Sequence, residues 1–91
     1  FGSLSGTDKW YGGVLAPNGK IYCVPCNATQ VLEIDPETKG LTLFGSLSGT
    51  AGKWYGGVLA PNGKIYCVPY YATQVLEMSV FDLCDRYLNK L

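Results

Sequence analysis

Several groups of residues in this sequence could do chemistry. Cys23-Val24-Pro25-Cys26 is a C-x-x-C motif, which is half a zinc site or a redox pair. No second C-x-x-C and no histidine exists to complete a tetrahedral site. Redox C-x-x-C pairs open a helix, whose N-terminus lowers the thiol pKa, whereas this one follows a strand pattern. Cys23 and Cys67 therefore read as small apolar residues of a packed sheet. Glu33, Asp35 and Glu37 are clustered acids, and paired carboxylates serve glycosidic chemistry. Here they read as solvated edge and turn residues that discourage edge pairing. Asn27-Ala28-Thr29 matches the N-glycosylation acceptor pattern; the second copy of this stretch has Tyr71 at that place, so a polar turn is the plainer reading. No catalytic residue, no metal ligand set and no cofactor is expected.

The aromatic residues carry more information. Trp10, Tyr11, Trp54 and Tyr55 start two similar stretches, and Asn27, Tyr70 and Tyr71 fall in their loops. Gathered on one rim, these seven residues would suit shallow recognition of a glycan or a peptide. The alternative is that Trp and Tyr pack between repeats.

Composition narrows the partners. The 91 residues are 47 % hydrophobic, with seven Tyr, three Phe and two Trp, which excludes a disordered class. Seven basic and seven acidic residues cancel, so no basic stripe exists to track phosphates. No apolar run is long enough to span a bilayer as a helix. Neither nucleic acid nor a membrane is expected as a partner. Histidine, the commonest general base, is absent.

These residues are positioned by a duplication. Residues 10–33 read WYGGVLAPNGKIYCVPCNATQVLE and residues 54–77 read WYGGVLAPNGKIYCVPYYATQVLE. Cys26 is replaced by Tyr70 and Asn27 by Tyr71. FGSLSGT also occurs twice, from Phe1 and from Phe44, and Gly52 is an insertion before the second copy. Within one unit, residues 10–16 read as a strand whose Gly12-Gly13 pair suits close approach of another backbone. Pro17-Asn18-Gly19 is a hairpin turn. Residues 20–24 are a second strand, with Ile21 and Cys23 on one face and Tyr22 and Val24 on the other. Residues 30–34 are a third strand, residues 35–40 a polar turn, and residues 41–47 a fourth strand.

Four short antiparallel strands repeated every 43 or 44 residues (Phe1 to Phe44, Trp10 to Trp54) is the pattern of a β-propeller blade. The segment VLAPNGKIYCVP resembles the strand–turn–strand core of propeller repeats of the NHL, streptogramin-lyase and tachylectin kind. The resemblance covers residues 1–77. It implies an all-β fold with two four-stranded blades per chain and a non-catalytic binding or scaffolding role. The tachylectin likeness implies a lectin as the alternative. A lyase- or lactonase-like enzyme would need His or metal-ligand clusters that this chain lacks. A two-sheet sandwich with an internal duplication remains the other architecture open at this point.

Two blades cannot close a ring, since propellers have about four to eight. The expectation is a homo-oligomer, a trimer or a tetramer closing six or eight blades, or else one stretch of a longer tandem array. Residues 1–78 form the repeats, with blade units 9–47 and 53–78 plus an outer strand at residues 1–4. That strand is expected to be exchanged between chain ends, onto the open edge of the second blade. Residues 79–91, SVFDLCDRYLNKL, place Phe81, Cys84, Tyr87, Leu88 and Leu91 at helical spacing behind a capping-box pair, Ser79 and Asp82. A short C-terminal amphipathic helix is expected there.

Overall fold

A computed structural model describes residues 9–47, 52–80 and 87–90. Among them the chain is all-β. The strands are β1 (Trp10–Leu15), β2 (Ile21–Pro25), β3 (Val31–Asp35), β4 (Gly40–Phe44), β5 (Trp54–Leu59), β6 (Ile65–Pro69), β7 (Leu76–Ser79) and β8 (Tyr87–Lys90). They form two antiparallel four-stranded sheets, β1-β2-β3-β4 and β5-β6-β7-β8. Each sheet is a simple meander, its strands hydrogen-bonded in chain order.

The hairpin sequences explain the connections. In the first turn Gly19 N donates to Ala16 O at 3.0 Å and Ala16 N to Lys20 O at 2.9 Å. Asn18 Oδ1 accepts from Lys20 N at 3.0 Å, so the side chain supplies a bond the turn would otherwise lack. Asn62 does the same for Lys64 N. In the β3–β4 turn, Asp35 Oδ1 accepts from Glu37 N and Thr38 N. The Thr38 N–H holds the Asp35 carboxyl below the usual carboxylate range, with Glu37 N–H adding to it.

Alternation gives each sheet two distinct faces. Partners in the register lie on one side. Val14, Tyr22 and Glu33 align on one face of the first sheet, and Gly13, Cys23 and Leu32 on the other. The second sheet repeats this with Val58, Tyr66 and Glu77 on one face, and Gly57, Cys67 and Leu76 on the other. The core is built from opposite faces. Val14, Ala16, Tyr22, Val24 and Val31 of the first sheet meet Trp54, Ile65, Cys67, Leu76 and Met78 of the second. The sheets therefore stack head to tail, Tyr22 face on Cys67 face.

The glycine pairs make this stacking close. A Cβ at Gly12 would sit 3.4 Å from Gly56 Cα, so β1 and β5 approach backbone to backbone, as the sequence led us to expect. Both residues have positive φ, +74° and +70°, at the point where the register shifts in each hairpin. Only glycine adopts this bulge without strain.

The C-terminal residues depart from expectation. The C-terminal helix expected over residues 79–91 is not what residues 79 and 87–90 form. Ser79 ends β7, and residues 87–90 are a strand paired antiparallel to it, Met78 with Leu88 and Leu76 with Lys90; residues 81–86 and 91 lie outside the described residues. A short isolated helix is marginal, whereas the bare edge of β7 offers a row of unpaired backbone groups to any strand nearby. The edge reserved for an exchanged strand is thereby occupied by β8. Residues 1–4, which were to supply that strand, lie outside the described residues.

Candidate functional site

Before the tail, and apart from Ile34 against Met78, the sequence differences between the two units fall on the rim that holds the loops following β2 and β6. Each loop is tied to the residue that opens its unit. Lys9 O accepts from Cys26 N and Ala28 N, and Lys53 O accepts from Tyr70 N and Ala72 N. Lys53 N donates to Cys26 O at 2.9 Å, which joins the two units. The loops are thus held by the same backbone bonds in both units, whatever the side chains at residues 26, 27, 70 and 71.

The seven candidate residues divide into two groups. Trp10 and Trp54 spend their polar groups within the chain. Each indole Nε1–H donates to a backbone carbonyl, Gln30 O and Gln74 O, both at 2.9 Å. Trp54 is buried in the core, and Trp10 is half-buried with the Lys9 ammonium 5.7 Å over its ring. Asn27 Oδ1 accepts from Gly52 N at 2.8 Å and from the Cys26 thiol. It is part of the joint between units.

The four tyrosines converge. Tyr11 and Tyr55 meet edge to face at 4.1 Å, Tyr55 and Tyr70 at 4.6 Å, and Tyr70 and Tyr71 tilt together at 4.6 Å. Tyr11, Tyr70 and Tyr71 are 50 %, 59 % and 68 % exposed. Edge-to-face pairs of this kind contribute about 0.5–1.5 kcal/mol beyond their buried area, so the cluster is ordered by its own contacts while its faces stay open. The Cys26 thiol bonded to Tyr55, followed by desolvation, pushes the Tyr55 hydroxyl above its ordinary value.

Gly52 explains why the two loop changes occur together. It has φ +67°, and a Cβ there would meet the Tyr71 ring at 2.6 Å. The inserted glycine both turns the chain and makes room for the tyrosine that replaces Asn27. Beside Tyr71 lies a cleft of about 240 Å³ lined by Lys53, Trp54, Thr73, Gln74 and Lys90 among others. Burial lowers the Lys53 ammonium below its ordinary value.

Other polar residues are used inside the sheets. Tyr22 OH donates to Glu33 Oε2 at 2.8 Å, Asn18 Nδ2 donates to Tyr22 OH at 2.9 Å, and Lys20 Nζ lies 3.6 Å from Glu33 Oε1. Asn62, Tyr66, Glu77 and Lys64 repeat the arrangement. Glu33 is therefore a buried, paired carboxylate, and the reading of it as a solvated edge residue is corrected: Tyr22 and Lys20 satisfy the charge that burial would otherwise penalise. The only signal in the sequence was that all four residue types recur in both copies.

Among the described residues the three cysteines, Cys23, Cys26 and Cys67, are free. Cys23 lies half-buried on β2 and Cys26 lies buried beyond its end. Among the described residues no three His, Cys, Asp or Glu are placed to hold a metal ion. Burial pushes the Cys67 thiol up to about 12 from an ordinary 9.0, so it stays protonated in the folded chain. Iodoacetamide at pH 8 is expected to leave Cys67 unmodified until urea unfolds the protein, read by mass spectrometry of tryptic peptides. The stability this proton carries is complete below pH 9.0 and is lost as pH rises toward 12.

No protein-family model matches this chain, and searches of curated proteins and of solved structures find no match to it.

Proposed function

We propose that this chain is a non-catalytic binding and scaffolding module, a pair of β-propeller-type blades that assembles with like blades into a ring of three or four copies. The four-stranded meanders stacked first strand against first strand, β1 against β5, support the blade reading. So does the use of the buried carboxylates in fixed Tyr–Glu–Lys networks, which leaves them no reactive role.

The observation that carries the binding role is the exposed tyrosine cluster on one rim. Tyr11, Tyr55, Tyr70 and Tyr71 offer rigid, amphipathic contact area with phenol hydroxyls at the margin, the kind of surface that recognises an extended peptide or a sugar face. In a ring, such weak sites add through avidity. The cleft beside Tyr71 favours the second reading, a lectin: Thr73, Gln74 and Lys90 surround it with groups able to bond sugar hydroxyls.

Glycan and peptide arrays test both readings. Tyr70→Ala and Tyr71→Ala leave the fold intact, because both side chains are exposed. Each is expected to weaken binding about tenfold, or about 1.4 kcal/mol. Glycan binding alone would select the lectin reading. Signal at background on both arrays overturns the binding role.

A further inference from the structure

We infer that the two outward sheet faces of this chain dock on each other between copies: the Tyr66 face of one chain seats on the Cys23 face of a second, head to tail. This rests on the blade reading above, but not on any ligand at the tyrosine rim.

The internal interface is the template. It pairs the Tyr22 face with the Cys67 face, and the chain carries a second set of both. Val14, Tyr22, Val24 and Glu33 recur as Val58, Tyr66, Val68 and Glu77. Trp54, Gly57, Ile65, Cys67 and Leu76 repeat Trp10, Gly13, Ile21, Cys23 and Leu32; Met78 in place of Ile34 is the change among the strand residues of that face. Yet the burial is reversed. Val14 is 8 % exposed and Val58 61 %; Val24 is 0 % and Val68 53 %. On the other face Ile65 and Cys67 are buried, whereas Ile21 and Cys23 are half-buried; Leu32, at the edge of that face nearest β4, is buried as Leu76 is. Each open face is thus the copy of one that is already covered, and what covers it inside the chain is available on a second chain.

Polar detail follows the same rule. Asn18 Nδ2 crosses the internal interface to Val80 O at 3.2 Å. Its counterpart Asn62 is exposed, bonded to Tyr66 OH within its own sheet. Pro36 holds the position in the first unit that Val80 holds in the second, so Asn62 donates to Pro36 O of the second copy. Shape agrees too. A Cβ at Gly57 would lie 3.2 Å from Val24 Cγ2 and 3.3 Å from Val14 Cγ2; Gly13 is exposed, with only Ile21 Cγ2 and Tyr22 O of its own sheet within 4 Å of a Cβ there, and receives Val58 and Val68 of the second copy. Such a contact is heterologous. It closes into a ring if its rotation permits and extends as a filament if not.

A mixing experiment tests the pairing. Val58→Glu with Val68→Glu charges the Tyr66 face, and Gly13→Glu blocks the Cys23 face; Gly13 has an ordinary φ and is exposed. Sedimentation of the unaltered chain is expected to give a mass rising with concentration above 9.8 kDa, to three or four copies. Each variant alone is expected at the mass of one chain. Mixed, they are expected to give a one-to-one pair that grows no further, because each retains one competent face. Circular dichroism and thermal melts verify folding, and Ile21→Glu replaces Gly13→Glu if that chain melts early. A monomeric unaltered chain, a mixture that stays monomeric, or a Gly13→Glu chain that self-associates would each overturn the inference. Ligand binding by a monomer would sink it together with the ring and leave the binding role standing.

Discussion

Replacing Tyr22 with Ala is expected to unfold the protein, whereas the same change at Tyr66 is expected to leave it folded. The two residues have the same neighbours in sequence and the same hydroxyl bond, to Glu33 at 2.8 Å and to Glu77 at 2.9 Å. They differ in cover. Tyr22 is fully buried between the sheets, with Phe44 edge-on at 6.0 Å, and Tyr66 is half-buried on the open face. Removing a buried aromatic ring costs about 3–5 kcal/mol. Withdrawing a donor from the buried Glu33 carboxylate adds about 1–3 kcal/mol. The sum is comparable with the whole stability of a domain of this size, about 5–14 kcal/mol at 0.05–0.15 kcal/mol per residue. For Tyr66 the same truncation costs about 1–2 kcal/mol, since water already reaches the site. Urea melts followed by tryptophan fluorescence, at concentrations dilute enough to suppress self-association, read the difference. Equal losses at the two positions would mean that the core does not lie on the Tyr22 face alone.

Trp54→Ala is expected to be a folding mutation and not a binding one. The Trp54 side chain is 2 % exposed, lies in the core cluster, and donates its indole N–H to Gln74 O. Its loss costs about 3–5 kcal/mol for the ring and about 1 kcal/mol for the hydrogen bond. Trp10 makes the same bond to Gln30 O on a half-covered face, so Trp10→Ala costs less, about 1–3 kcal/mol. With a mid-range difference of about 3 kcal/mol, thermal melts of the two variants should differ by about 12–24 °C, at about 4–8 °C per kcal/mol for a domain of this size. A Trp54→Ala chain that melts like the unaltered one but loses the binding proposed for the tyrosine rim would place this tryptophan on that proposed surface.

This pair of residues shows where reading the sequence stops. Both tryptophans opened their repeats in identical contexts, and both were candidates for ligand contact. Nothing local distinguishes an indole that caps a carbonyl twenty residues away from one that faces solvent. The tyrosines were legible to a different degree. Their collection at one rim follows from strand order, because the turns after β2 and β6 and the starts of β1 and β5 must lie at the same end of a meander. Their contact distances, and the accommodation of Tyr71 over Gly52, depend on how the two sheets stack.

The tail taught the opposite lesson. Helical spacing over so few residues competes with an unpaired strand edge that lies in reach, and for residues 87–90 the edge prevailed. A pattern read along the chain cannot include a hydrogen-bonding partner supplied across space.

By itself the amino-acid order determined β1 to β7, the turns within the repeats and the two faces of each sheet, because Asn-Gly hairpins, polar breaks and period-two alternation are local properties that neighbours in sequence settle. It also determined that the halves are equivalent. Which face of each half is covered is a property of their stacking. Identical residues become core in one sheet and surface in the other only because one interface exists where the repeat provides for two.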